Sequence, residues 1–412
     1  MTAAELPEAA AHDDALDEAK FVGRTSDAGV SAGGASEGGL PPAAFVAALA
    51  GFDRMTVRRL HSLLAIGDPR LAFALAAGRE RPVGPLASML ARDVGLAARW
   101  REQSRVRSPV RCWQQCLDAG VDVIVADDPR FPPQLLNDPA PPAALFVRGD
   151  PGVLDARRVG IVGTRNATQR GLETAARFGH ELAQQGVVVV SGLARGIDGA
   201  AHRGALAADA APVAAVVGNG PDVPYPREHA ALWHEVACRG VLLSEWPPGT
   251  PPARFRFPMR NRILAALCEV LVVVESRDKG GGLITAREAL DRNVQVMAVP
   301  GSLQTLAASG TNRLLRDGAA PATDTDEILA ALGLDGRRAG RARFDPRPLP
   351  RGRDALIIDR CAARARSIDE IVNDFGLSLA DGAMTLARLE QQGWLRETGG
   401  WFETVGHWDD LA

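Results

Sequence analysis

Between about residues 155 and 300, short runs of consecutive apolar residues alternate with longer stretches whose apolar positions recur every three or four residues. The runs fall at 159–162, 187–190, 213–217, 241–243, 270–274 and 296–299. Strands apolar on both faces need cover on both faces, and their alternation with helices predicts a parallel sheet. Crossovers of that kind are right-handed, so the expected architecture is a Rossmann-like, doubly wound α/β sandwich.

The flanks read differently. Residues 1–40 are rich in Ala, Gly, Ser and Asp without apolar periodicity, which predicts a disordered tail. Over 41–104 the pattern turns helical, with Phe45, Leu49, Val57, Leu60, Leu63 and Leu64 at spacings of three and four. The segment from Leu49 to Leu60 hints at a helix-hairpin-helix unit, although its hairpin glycines are degenerate; plain packing helices fit it better. Residues 104–157 are a proline-dense connection in which the runs 121–125 and 144–147 predict short edge strands. The sheet region with this extension spans 105–335, and a Pro/Arg/Gly-rich linker spans 336–353.

The last segment, 354–412, has the pattern of a winged helix. Ser367-Ile-Asp-Glu370 is a capping box, Ser378-Leu-Ala-Asp381 opens a second helix, and Gly399-Gly400 turns a hairpin. That second helix carries Arg388 but also Asp381 and Glu390. A helix that reads a DNA groove should be basic, so a protein-contact or regulatory role is the better expectation.

Composition narrows the class. At 412 residues the chain is long enough for two or three domains, and 46% hydrophobic with 24% charged residues is ordinary for a globular protein. The apolar runs are strand-sized, so no membrane helix is expected, and the acidic N-terminus does not read as a signal peptide. Five scattered cysteines suggest a reducing, cytoplasmic setting. Cys112 and Cys116 can share a helix face, but nothing nearby completes a metal site. The net charge is −3, so any attraction for phosphate must come from local clustering of arginine.

Such clustering appears where a doubly wound sheet places its ligands, outside the carboxyl ends of the strands. The segments that follow successive strands are Gly163-Thr164-Arg165, Ser191–Asp198, Gly218–Arg227, Ser244–Arg262 and Glu275–Gly282. Together they hold nine basic residues, Arg165, Arg195, Arg227, Arg254, Arg256, Arg260, Arg262, Arg277 and Lys279. Six acids accompany them, Asp198, Asp222, Glu228, Glu245, Glu275 and Asp278. With the acids partly engaged in capping helices, arginine forks are left for phosphate. Glycine turns at helix starts add backbone N–H groups aimed at an anion, and Tyr225, Phe255 and Phe257 offer rings on which bases stack. For any one of these residues a turn-forming or solvated role competes; the constellation is what points to single-stranded nucleic acid.

Other chemistries fit less well. The first turn lacks Gly-x-Gly-x-x-Gly, the second strand ends in Ser191 rather than an acid, and no Gly-x-x-x-x-Gly-Lys-[Ser/Thr] loop occurs, so no cofactor is expected. No serine or cysteine stands at suggestive spacing from a histidine, and His202, His229 and His234 read as helix-surface or core residues.

Several motifs resemble one family. Val159-Gly-Ile-Val-Gly-Thr-Arg-Asn-Ala-Thr168, Ser191-Gly-Leu-Ala-Arg-Gly-Ile-Asp-Gly-Ala-Ala-His202, Phe257-Pro-Met-Arg-Asn-Arg262, Gly282-Leu-Ile-Thr-Ala286, Ala298-Val-Pro-Gly301 and Gly310-Thr-Asn312 occur in order. They resemble the DNA-processing protein A (DprA/Smf) family over roughly 105–330. The resemblance implies a cytoplasmic, non-catalytic homodimer that binds and protects incoming single-stranded DNA and helps load RecA recombinase during natural transformation. It carries the phosphate-binding turn to Gly163, Thr164 and Arg165, and further cleft positions to Arg195, Asn261, Arg262 and Lys279. With Tyr225, Arg227, Phe257, Arg260, Gly281, Gly282 and Thr285 from the same edge, these form the expected DNA-binding set. Thr164 replaces the family's usual serine and keeps its hydroxyl. Gly280 and Gly282 replace serines of a Ser-Gly-Ser turn, leaving only backbone contacts there. The alternative is an enzyme: Gly281-Gly282-Leu-Ile-Thr285-Ala-Arg-Glu288 approaches the loop of nucleoside-monophosphate phosphoribohydrolases on a related fold, with Glu288 assisting glycosidic cleavage. Ile284, however, stands where that loop needs glycine.

Overall fold

The helical segment after residue 40 is organised by its caps. Prolines open α1 (Pro42–Ala50) and α3 (Pro69–Ala76), Thr56 accepts from the Arg59 amide ahead of α2 (Val57–Leu64), and Asp68 does the same for α3 through Arg70. After α4 (Gly84–Arg92), α5 (Leu96–Val106) lies over the α1–α2 turn, where Trp100 Nε1 donates to the Asp53 carbonyl at 3.0 Å. Gln103 accepts from the Asp53 amide. Residues of α5 thus hold the backbone of the turn, while the side chains of Asp53, Arg54 and Thr56 stay exposed. Cys112 and Cys116 share the buried face of α6 (Pro109–Asp118), where burial pushes the Cys116 thiol up to about 12. The computed structural model describes residues 37–93, 95–334 and 347–405; residues 1–36 of the tail expected over 1–40 and most of the linker, 335–346, lie outside them. The described residues from Leu40 onwards belong to one compact unit.

The proline-dense connection contributes β1 (Asp122–Val125), the short α7 (Pro133–Leu136) and β2 (Ala144–Gly149). The two strands pair antiparallel and form one edge of a nine-stranded sheet. Val123, Ala144 and Phe146 share an apolar cluster with α1, α3, α5 and α6, so the core of the helical segment runs continuously into this edge.

Six parallel strands follow, β3 (Arg158–Val162), β4 (Val188–Ser191), β5 (Val213–Val216), β6 (Val241–Ser244), β7 (Val270–Val273) and β8 (Gln295–Ala298). With β9 (Ala320–Pro321), the sheet order is β1-β2-β6-β5-β4-β3-β7-β8-β9. The doubly wound sandwich expected from the apolar runs is therefore present. Alternate strand residues serve opposite faces, with Val159, Ile161, Val189 and Val213 on one side and Val162, Val188, Val190 and Val216 on the other. The first face is covered by α8 (Gln169–Gln184), α9 (Ile197–Ala207), α10 (Ala230–Arg239) and, beyond the sheet, α14 (Thr325–Ala331). The second is covered by α11 (Arg256–Leu267), α12 (Gly281–Leu290) and α13 (Ser309–Arg316). The winding reverses at β3, between β4 and β7.

Beyond the linker run α15 (Arg353–Ala363), β10 (Arg366–Ser367), α16 (Ile368–Phe375), α17 (Leu379–Gln391) and the hairpin β11 (Leu395–Thr398)–β12 (Trp401–Thr404). The Ser367–Glu370 capping box is formed, and Gly399 and Gly400 both take positive φ in the turn. The strands make a separate three-stranded sheet over a core of Ile357, Ile371, Leu389 and Trp394. Among the described residues no helix is long and apolar enough to cross a membrane, and no histidine, cysteine and carboxylate cluster is spaced for a metal ion.

Candidate nucleic-acid interface

The reversal at β3 brings the turn after β3 against the turn after β7. The Thr164 amide donates to the Glu275 carbonyl at 2.8 Å. The Glu275 carboxylate receives the Thr168 amide at 2.9 Å and the Thr168 hydroxyl, while Thr168 itself caps α8. A Cβ on Gly163 would lie 2.5 Å from Ile197 Cγ1 and 2.8 Å from the Glu275 carbonyl oxygen. Only glycine lets the β3 turn sit this low, and Gly282 of α12 packs directly on it.

Two helices open on this crevice without a side-chain cap. Gly280 precedes α12 and Gly196, at φ +72°, precedes α9; neither carries a capping side chain. The Ile197 amide reaches the Thr164 carbonyl at 3.3 Å. The amides of Gly281 and Gly282 thus begin α12 next to Gly163, a geometry that favours an anion by hydrogen bonding and by the helix dipole.

Arg165 stands exposed above this crevice. Its guanidinium lies 4.9 Å from the centre of the Phe257 ring, and Phe257 stacks on Tyr225 with centroids 5.4 Å apart and planes inclined by 27°. Turns after β3, β5 and β6 therefore join in one Arg–Phe–Tyr stack, with Tyr225 still 38% exposed. Arg277 and Lys279 project from the β7 turn, and among the described residues neither has an ion-pair partner. Arg227 is exposed at the short turn ahead of α10. Arg195 is exposed as well, but it pairs with Glu228, whose carboxyl it holds below the usual range. Between exposed groups such a pair is weak and open to exchange.

The structure corrects the expectation that acids merely cap helices and leave the forks of α11 available. Arg260 is 5% exposed and bonds to the Gly192 and Val216 carbonyls, with Asp198 beside it at 3.7 Å. Asn261 is buried and accepts from Arg260 Nε at 3.0 Å. Arg262 is held by the buried Glu245 at 2.5 Å. Burial pushes the Glu245 carboxyl up, with Arg262 opposing. Thr285 is buried too, and its hydroxyl donates back to the Gly281 carbonyl at 3.5 Å. These four side chains lie wholly or largely beneath the edge, held there by carbonyls, by Glu245 and, for Asn261, by the Arg260 guanidinium.

Trp246 escaped the sequence reading. Its ring and that of the exposed Phe255 flank Arg256, at 5.7 and 5.3 Å from the guanidinium. Its position two residues beyond the end of β6 is the signal that could have marked it. Glu288, by contrast, lies about two helical turns along α12 from Gly281. Its carboxylate accepts from Arg292 at 2.6 Å, and Arg292 also binds the buried Asp138. Glu288, with about a third of its side chain exposed, is thus engaged by Arg292.

The profile of a family described as DNA recombination-mediator protein A matches residues 122–333. The chain is 39% identical to the DNA processing protein DprA of Bacillus subtilis over 216 residues, 52% of this chain and 72% of that protein. It is 41% identical to the putative DNA processing protein DprA of Mycobacterium tuberculosis over 261 residues, 61% of this chain and 66% of the relative. Among solved structures, DNA processing protein A from Streptococcus pneumoniae superposes with a TM-score of 0.60 at 28% identity, covering 71% of this chain and 98% of that one.

Proposed function

Since the chain belongs to the DNA recombination-mediator protein A family, we propose that it binds single-stranded DNA along the carboxyl edge of its parallel sheet, without transforming it chemically. The observation that carries this reading is the meeting at β3 of three features. They are a glycine turn bearing Arg165, the uncapped start of α12, and an Arg165–Phe257–Tyr225 stack. Phosphate oxygens fit the amides and guanidinium, and a base fits the open face of the ring stack. Duplex DNA keeps its bases paired and stacked, so the rings favour a single strand.

In this reading Gly163, Thr164, Arg165, Lys279, Gly281 and Gly282 meet phosphate, Tyr225 and Phe257 meet bases, and Arg195 and Arg227 line the approach. The protein protects incoming strands and helps load RecA during natural transformation, acting as a homodimer in the cytoplasm. The helical region 41–104, whose core continues into the β1–β2 edge, and the terminal region 354–412 flank the DNA-binding region 105–335. The terminal region has winged-helix order, yet Arg388 of α17 is bonded to Asp354 at 2.7 and 2.9 Å. That supports a protein-contact role for it in preference to groove reading.

A gel shift comparing single- and double-stranded oligonucleotides tests the reading. The wild type is expected to retain the single strand preferentially, and an Arg165→Ala/Lys279→Ala variant to lose most of that retention. Equal retention by the variant, or a preference for duplex, contradicts the assignment. Release of adenine from AMP would instead revive the phosphoribohydrolase alternative.

A further inference from the structure

We propose that Arg260 is a positioning residue, a buried cation that holds the exits of β4 and β5 and the start of α9 in the shape the DNA-binding turn requires, without touching DNA. The proposal rests on the single-strand reading of this edge and assigns Arg260 and its neighbours a place within it.

Two main-chain carbonyls and two side chains converge on this one side chain. Arg260 Nη1 donates to the carbonyl of Gly192, just past β4, at 2.8 Å, and to the carbonyl of Val216, the last residue of β5. Nε donates to Asn261 Oδ1 at 3.0 Å, and Nη2 lies 3.7 Å from Asp198 Oδ2 in the first turn of α9. The planar fork suits this arrangement, and a lysine ammonium cannot span it. Burial lowers the Arg260 pKa to about 10, with Asp198 opposing, so the group is still charged at neutral pH.

Gly192 records the same constraint from the other side. A Cβ there would sit 1.9 Å from Arg260 Nη2 and 2.2 Å from its Cζ. Gly192 is not among the positive-φ glycines, so its missing side chain makes room for the guanidinium, not for a turn. Four residues on, a Cβ at Gly196 would lie 2.3 Å from the Thr164 carbonyl oxygen, and the Ile197 amide donates to that oxygen. The path from Arg260 through 192–197 therefore ends on the turn that presents Arg165.

Salt dependence separates positioning from direct binding. Each phosphate that a side chain neutralises in a single-strand complex steepens the plot of log affinity against log salt by about 0.7. Removing such a side chain flattens the plot, whereas a misplaced turn weakens binding with the slope kept. Oligo-dT affinity across a salt series is measured for the wild type, Arg260→Lys, Gly192→Ala and Arg165→Ala, with circular dichroism confirming a folded chain. Arg260→Lys and Gly192→Ala are each expected to bind about tenfold or more weakly with the wild-type slope, whereas Arg165→Ala flattens it. Gly192→Ala keeps Arg260 and answers the question if Arg260→Lys does not fold. A flattened slope in Arg260→Lys makes Arg260 a ligand and overturns the proposal; so do wild-type affinity in both variants and loss of folding in both, which reduces Arg260 to core packing. A wild type with no salt-dependent affinity for oligo-dT instead fails the single-strand reading itself, and the proposal falls with it.

Discussion

The turn after β3 and the first turns of α11 carry the same residue type to opposite ends. Arg165 is exposed, with its guanidinium over the face of Phe257. Arg260 and Arg262, from an equally arginine-rich segment, are sealed beneath the edge by Gly192, Val216, Asp198 and Glu245. What separates them is what each guanidinium finds within reach. One emerges from a glycine turn where, among the described residues, no ion-pair partner meets it; the others descend among strand-end carbonyls and buried carboxylates. A motif arginine becomes a ligand only when its own fold leaves its donors unmet.

That contrast breaks most visibly in stability. Arg262→Ala leaves the Glu245 carboxylate buried and unpaired and is expected to cost roughly 3–5 kcal/mol in urea unfolding. Arg165→Ala should change the same measurement by no more than about 0.5 kcal/mol, as for an exposed position. Comparable losses in the two variants would erase the distinction.

The buried layer also has a pH signature. His202 is fully buried, its Nε2 lies 3.2 Å from the Ala214 carbonyl, and burial lowers its pKa to about 4, with Arg260, His229 and Arg203 adding to the effect. Below its unfolded value near 6.5 the unfolded chain takes up a proton that the folded chain refuses. Stability should therefore fall as pH drops from about 6.5 towards 4, by up to roughly 3 kcal/mol. His202→Gln should flatten that part of the melting-temperature profile; an unchanged profile would show that another group titrates there.

On the open layer the effects move to binding. Tyr225→Ala should weaken oligo-dT by about 1–3 kcal/mol through the loss of base stacking, and leave the salt slope as it was. Thr168→Ala, which removes the cap of α8 and a partner of Glu275, should cost about 1 kcal/mol of stability in urea unfolding.

The sheet and the caps were legible because they are local. Runs such as 187–190 declare a strand buried on both faces, and Ser367 with Glu370 declares a helix start. The position of Arg165 followed from the rule that strand exits share one edge. The fate of Arg260, Asn261, Arg262 and Thr285 was not legible, because it depends on carbonyls of β4 and β5 and on Glu245, which only the assembled sheet brings to α11. The helix α6 was missed within the proline-dense connection, where Pro109 reads equally as a breaker and as a first helical residue. Trp246 was missed although it stands just past the end of β6, because its contact with Arg256 forms only across the loop between them.

Fluorescence anisotropy of labelled oligo-dT against the wild type and Arg165→Ala, repeated over a range of salt, tests the central claim most directly. The account predicts a loss of about 1–3 kcal/mol in affinity and a salt slope shallower by about 0.7. An Arg165→Ala variant that binds with unchanged affinity and slope would contradict it.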